Sequence, residues 1–368
     1  MMWRYYMPTA VFFGQGSVQK NSGALGEAGT KALLVTGKRS ARVSGALHDV
    51  TQALTAQKMS YSLFDEVEEN PSFKTVRRAA MLMNQEACDL VIAIGGGSPL
   101  DAGKAIAMLA ANENIQIEQL YDDPGRWPAY STIAVPTTSG TGSEVTHFAV
   151  LTDDEGNKSG LSSTRNFPMK AFLDPVYTTT MNEHITVSTA LDALCHAVEG
   201  ELINSGANPL VKSLASNAVA TIKGTLSSVL SSPEDIQKRG KLQYAAMLAG
   251  MVIAHTGTSV VHPAGYPLSV HKDIKHGLAN SLFLVGVLRY VSRKEAKRIS
   301  NAIEPFASVE ELEAFLESFG VYDYMPTITE QEARDWSMAV MNSSHYTRTP
   351  GDFDREFFVN LYKRAGEK

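Results

Sequence analysis

The sequence has only two cysteines, Cys88 and Cys195, in 368 residues. That leaves no basis for a disulfide framework, so both read as small core residues. No apolar run approaches the roughly 20 residues needed to cross a bilayer. The opening segment, Met1 to Pro8, lacks the apolar core and small-residue cleavage site of a signal peptide. These two absences make a cytoplasmic protein with no membrane partner the expectation. There is no positive excess either: 33 Lys and Arg against 39 Asp and Glu give a net charge of −6. A general nucleic-acid binder needs a basic face for phosphates, so that class is set aside. No internal repeat or low-complexity tract is present, and the G-x-G-x-x-G dinucleotide fingerprint is missing.

What is present has the texture of a globular protein, with 44% hydrophobic and 20% charged residues. The chain is too long for one core, and two domains are the prior. In the first half, short apolar runs alternate with helical patterns. Lys31 to Thr36, Tyr61 to Phe64 (closed by an acidic turn from Asp65 to Pro71), Leu90 to Ile94 and Thr132 to Val135 read as strands. Lys74 to Gln85 and Ala102 to Ala111 read as helices. Continuous apolar strands between helices predict a parallel, doubly wound α/β domain. After Asp174-Pro175 strand signals become few and long helical patterns take over. They run over Ser188 to Ile203, Pro209 to Val229, Pro233 to Ala254, Arg293 to Ile303, Val309 to Ser318 and Thr329 to Met341, with Ser308 and Thr329 as N-caps. The fold class expected is therefore an α/β dinucleotide-binding domain over 1–179 followed by an all-α domain over 180–368.

Two glycine-rich loops follow strands. Gly95-Gly96-Gly97-Ser98-Pro99 opens a helix, and glycines there allow close backbone approach to an anion at the helix start. Taken alone, such a junction serves equally well as a tight turn. The second loop, Pro136 to Glu144, is crowded with hydroxyls (Thr137, Thr138, Ser139, Thr141, Ser143) and glycines. In an open parallel sheet ligands bind beyond the carboxyl ends of strands, and both loops lie at such ends. The pair together points to a dinucleotide site.

Six of the nine histidines fall between positions 184 and 276. Asp192 and His196 are four apart in a helical pattern, which stacks their side chains on one face. Cys195, one position from His196, faces about 100° away and is no ligand. His262, His271 and His276 lie downstream in a segment that reads as broken and turn-rich. Imidazoles with one carboxylate suit Fe2+ or Zn2+, which ligand type alone does not separate. The same D-x-x-x-H spacing also occurs as a plain surface pair, and a core histidine can be satisfied by a carbonyl.

The motifs taken in order resemble the iron-containing alcohol dehydrogenase family along nearly the whole chain. They are Tyr6 to Gly16, Glu68-Glu-Asn-Pro71, Gly95 to Pro99, Pro136 to Glu144, Asp192-Ala-Leu-Cys-His196, His262, His276 to Asn280 and Thr349-Pro-Gly. The resemblance implies a metal held by Asp192, His196, His262 and His276, the last two fourteen residues apart as in the family pattern. It also implies a cofactor domain, a helical metal domain (the dehydroquinate synthase-like fold) and a cleft between them. Gly96, Gly97 and Ser98 would hold the pyrophosphate. Thr137, Thr138 and Thr141 would contact phosphate or nicotinamide ribose, and Asn70 and Lys158 would line the cofactor cleft. The reaction implied is hydride transfer between NAD(P) and a small alcohol or aldehyde, in a homodimer by default.

Two departures from the family pattern stand out. A histidine common four residues after the third ligand is here Tyr266, which leaves His271 as a candidate proton relay. The acidic residue that often follows the first strand of NAD-preferring members is here Gly37, followed by Lys38 and Arg39. Room for a 2′-phosphate and nearby cations favour NADP(H) over NAD(H). Rival expectations are a dehydroquinate synthase-like lyase or a glycerol dehydrogenase-like enzyme of the same fold. The apolar stretch Val260 to Leu268 favours a small alcohol or aldehyde over a substrate rich in phosphate and carboxylate.

Overall fold

Three strands with unbroken apolar runs form the middle of a sheet in the computed structural model, which describes residues 2–203 and 208–364. The strands are β1 (Ala10–Phe13), β2 (Lys31–Gly37), β3 (Ser60–Val67), β4 (Leu90–Gly95), β5 (Ser131–Pro136), β6 (Phe148–Thr152), β7 (Lys158–Ser162) and β8 (Lys170–Leu173). Six of them make one parallel sheet in the order β1-β8-β5-β4-β2-β3, and β6 pairs with β7 as an antiparallel ribbon. Every residue of β4 is buried. Alternate side chains enter different cores. Leu33, Val35 and Val91 pack with helices α2 (Phe73–Gln85) and α3 (Gly97–Ala110), and Leu34, Ile92 and Ile94 with α1 (Ala46–Ala56), counting helices of eight residues or more. Both faces are covered, as an all-parallel sheet requires.

The remaining long helices are α4 (Glu183–Leu202), α5 (Pro209–Ser231), α6 (Ile236–Thr256), α7 (Val261–His271), α8 (His276–Ala302), α9 (Val309–Glu317), α10 (Glu330–Asn342) and α11 (Arg355–Arg364). The chain divides into two compact units. One comprises Tyr6–Met181 with Ser232–Gln243; the other comprises Met1–Tyr5, Asn182–Ser231 and Tyr244–Lys368. An α/β unit and a helical unit are thus present. Ser308 and Thr329 cap α9 and α10, the latter through a reciprocal capping box with Glu332. No single helix among the described residues is long and apolar enough to cross a membrane.

Several elements differ from the sequence expectation. β3 runs on through Asp65 and Glu66 to Val67. This is an edge strand, and those carboxylates are accommodated at its rim by Arg42 and Arg78. α3 begins at Gly97, not at Ala102, because glycine and Pro99 are tolerated in a first turn. The segment around His262 is helical despite Pro267 inside it. Proline there removes one backbone donor, while burial of Val261, Ala264 and Leu268 holds the helix in place. Strands β1 and β8, four residues each, and the β6–β7 ribbon were not among the strands expected from the sequence.

Candidate metal centre and nucleotide loops

Helix α4 supplies the first two candidate ligands from adjacent turns of one face. Both are buried, Asp192 at 3% and His196 at 5% exposure. His262, the second residue of α7, is buried beside them, and His276 is the first residue of α8. The Nε2 atoms of His196, His262 and His276 lie 3.8, 3.9 and 3.9 Å from a single oxygen, Asp192 Oδ1. Donor atoms of Asp192, His196 and His262 all fall within 4.8 Å of one another. Ligands about 2.1 Å from a tetrahedral ion stand about 3.4 Å apart, so the quartet is a slightly open version of such a shell. Three imidazole nitrogens and one carboxylate oxygen are a donor set for Fe2+ or Zn2+, and the residues present fit the ion.

The electrostatics agree. Burial alone pushes the Asp192 carboxyl up, but the three imidazoles and the amide of Asn280 outweigh it and hold the group below its ordinary range. Asn280 Nδ2 donates to Asp192 Oδ1 at 3.1 Å and lies 3.1 Å from His276 Nε2. A residue not singled out in the sequence, Glu199, sits on the far side of His262: its Oε1 is 2.7 Å from His262 Nδ1. Glu199 stands three residues after His196 on the same helix, and that spacing was the available signal. Tyr266 stacks on His276, ring centroids 5.7 Å apart.

His271 is not brought to this cluster. Nine residues after His262 on one helix, it is half a turn out of phase and about 13 Å further along. It is exposed and stacks on Trp336. Cys195 is buried, with its sulfur 3.7 Å from Ser281 Oγ, and is not in the group of converging donors.

The two glycine-rich loops meet at the carboxyl ends of β4 and β5. Thr137 N donates to Gly95 O at 2.8 Å. A Cβ on Gly97 would come within 2.6 Å of Thr141 Cγ2, and one on Gly96 within 3.3 Å of Thr138 Cγ2. The glycines are therefore needed for contact between the loops as well as for any ligand. Gly97 and Ser98 sit at the open N-terminus of α3. Gly37 ends β2 beside Pro99, and Lys38 and Arg39 follow it, both exposed. Asn70, in the left-handed region at φ 57°, and Lys158 flank Thr152: Thr152 Oγ1 donates to Asn70 O, and Lys158 is its partner in the β6–β7 register.

Beneath the loops lies a polar core that the motifs did not reveal. Lys104, fully buried on α3, donates to Ser143 Oγ at 2.6 Å, Thr146 Oγ1 at 3.2 Å and Phe148 O at 2.8 Å. Asp101 Oδ2 accepts from Val150 N. Burial pushes the Lys104 ammonium down to about 8 against the upward pull of Asp101 and Glu144. Burial likewise pushes Glu144 up to about 7, opposed by its own backbone amide and by Lys104.

Residues 8–175 match the iron-containing alcohol dehydrogenase family, and residues 186–365 match the C-terminal part of the same family. A 1,3-propanediol dehydrogenase of Klebsiella pneumoniae is 34% identical over 318 residues, 84% of this chain and 79% of that protein. The chain belongs to the iron-containing alcohol dehydrogenase family. Its fold is the family fold. A solved iron-containing alcohol dehydrogenase from Thermotoga maritima, 38% identical, superposes with a TM-score of 0.92 over 99% of each chain. A sulfoacetaldehyde reductase from Bifidobacterium kashiwanohense, solved in complex with NAD+, is 26% identical with a TM-score of 0.88 over 100% of each chain.

Proposed function

We propose that this protein is a metal-dependent, NAD(P)-linked alcohol dehydrogenase and aldehyde reductase for small alcohols or aldehydes. The observation that carries the reading is the convergence of three imidazole nitrogens on one buried carboxylate oxygen in the helical unit. Asp192, His196, His262 and His276 are the proposed ligands of a divalent ion, Fe2+ or Zn2+. Such an ion supplies Lewis acidity, which lowers the cost of negative charge on a substrate oxygen. The protein's own contribution is a dry setting: three of the four ligands are buried, and charge is stabilised more strongly where water is excluded. The apolar side chains of Val260, Val261, Ala264 and Leu268 surround His262 in sequence and suit a small, weakly polar substrate.

A nicotinamide cofactor gives or takes the hydride. Gly96, Gly97 and Ser98 are proposed to receive its pyrophosphate at the N-terminus of α3. Thr137, Thr138 and Thr141 offer hydroxyl donors to phosphate or ribose, and Asn70 and Lys158 line the same site. Gly37 with Lys38 and Arg39 supports NADP(H) over NAD(H), because two exposed cations follow a residue with no side chain to occupy the 2′ position. Residues 1–179 are taken as the cofactor domain and 180–368 as the metal and substrate domain, in a cytoplasmic homodimer. His271, stacked on Trp336, is left out of the chemistry.

The test is NADPH consumption with a panel of short aldehydes, on protein stripped with chelator and reloaded with Fe2+ or Zn2+. Turnover restored in proportion to bound metal, and lost in Asp192→Ala, is the expected result. Full activity without metal would overturn the assignment.

A further inference from the structure

The hydrogen bonds behind His262 have a direction that the ring geometry alone does not. Glu199 is fully buried, and its two oxygens face different partners. Oε2 accepts from Ser259 N at 2.8 Å and from Ser259 Oγ at 2.7 Å. The backbone N–H can only donate. The Ser259 hydroxyl oxygen also accepts from Val261 N at 3.2 Å, and its own proton goes to the Glu199 carboxylate, which can only accept. Oε1 is then left facing His262 Nδ1 at 2.7 Å, and a carboxylate oxygen requires a donor there.

We propose that Glu199, anchored by Ser259, is a positioning residue that holds His262 in the Nδ1–H tautomer and so keeps the Nε2 lone pair aimed into the Asp192 quartet. The inference rests on the metal-site reading for its purpose, though the tautomer stands on hydrogen bonds alone. Asp192, His196 and Glu199 occupy positions i, i+4 and i+7 of one helix. A single face of α4 thus carries two ligands and the support for a third. Carboxylates behind metal-bound imidazoles fix ring orientation and raise ligand basicity, and losing one costs roughly 10- to 100-fold in metal affinity.

Glu199→Gln tests the direction and leaves the shape nearly unchanged. The amide oxygen must take the Ser259 N–H, because only an acceptor can sit there. The amide NH2 then faces His262 Nδ1 and demands an acceptor, which drives the ring proton to Nε2, the atom that should bind metal. Two measurements decide. Histidine-selective nitrogen NMR of the metal-free wild type, followed with rising pH until the ring nitrogen signals stop moving, reads the tautomer of the neutral ring directly. The resonance is assigned by its loss in His262→Gln. Protonated Nδ1 is expected, and protonated Nε2 would overturn the proposal. Competition with a coloured chelator should show metal affinity about 10- to 100-fold weaker in Glu199→Gln, with NADPH binding and the metal-free melting temperature unchanged. Wild-type affinity in that variant would also overturn it. Should the variant fail to fold, the wild-type spectrum still decides. Should the wild type bind no metal, the metal-site reading fails while the tautomer measurement stands.

Discussion

Glu144 and Lys104 carry opposite charges in a fully buried site, and each is pushed by burial towards its neutral form. Their pH windows separate. Glu144 releases its proton near 4.5 when unfolded but near 7 when folded, so the folded state holds more protons between those values. Stability from this group is therefore present below pH 4.5 and lost as pH rises to about 7, by on the order of 3 kcal/mol. Lys104 acts above about pH 8, where the folded state sheds its proton first and stability rises with pH. In Glu144→Gln this contribution should be missing, so the stability of wild type relative to the variant should fall between pH 4.5 and 7, read by chemical denaturation at several pH values. An unchanged profile would mean that the carboxyl titrates normally. The same scale holds the cofactor question. A Cβ on Gly37 would stand 3.2 Å from Val67 O, so this glycine has a packing reason of its own and Gly37→Asp is an ambiguous probe. The exposed cations are the better one: Lys38→Ala with Arg39→Ala should raise KM for NADPH about fivefold and leave KM for NADH alone. Equal effects on both cofactors would remove the 2′-phosphate argument. The four proposed metal-site residues were legible through the family resemblance; spacing alone paired Asp192 with His196 on one helix face and left the choice among the downstream histidines open. Lys104 was not, because a lysine in an apolar helix looks the same whether its ammonium reaches solvent or a serine 39 positions away.

Helices α4 and α8 approach so closely at the candidate metal centre that α8 has no room for a side chain at Gly277. A Cβ on Gly277 would lie 1.9 Å from Ser188 O and 2.8 Å from Asp192 Cβ. The neighbouring groups are backbone and a proposed ligand, neither of which can swing aside. Gly277→Ala should therefore push α8 outward, carrying His276 with it. Overpacking of this kind costs about 1 to 3 kcal/mol, and metal affinity should fall together with the melting temperature. A variant that keeps both would show that the helices can slide without penalty. Elements of this kind were unequally legible. β4 and β5 announce themselves by apolar content alone, and α10 by its capping box. α7 did not, since Gly265 and Pro267 argue against a helix locally and only its packed residues sustain it. Gly265 is itself a matter of contact, because a Cβ there would sit 2.2 Å from Asn280 Oδ1. Tertiary packing overrules local propensity at both glycines, and no pattern within one segment reveals that.

Across the whole molecule the candidate functions are segregated. Asp192, His196, His262, His276 and Glu199 all belong to the helical unit, while both glycine-rich loops and the Lys104 network belong to the α/β unit. No proposed ligand of the ion comes from the α/β unit, and no residue proposed for the pyrophosphate comes from the helical one. Ligands that bind only the native state stabilise it by mass action, about 4 kcal/mol at a thousandfold excess over Kd. Metal and dinucleotide should therefore act as separable stabilisers. Chelator-stripped protein should still quench NADPH fluorescence with an affinity within about twofold of the loaded enzyme, yet turn over no aldehyde. Saturating Zn2+ should raise the melting temperature of wild type and leave Asp192→Ala where it was. Loss of NADPH binding on stripping would instead mean that the metal organises the glycine loops, and the two units would then have to be treated as one thermodynamic site.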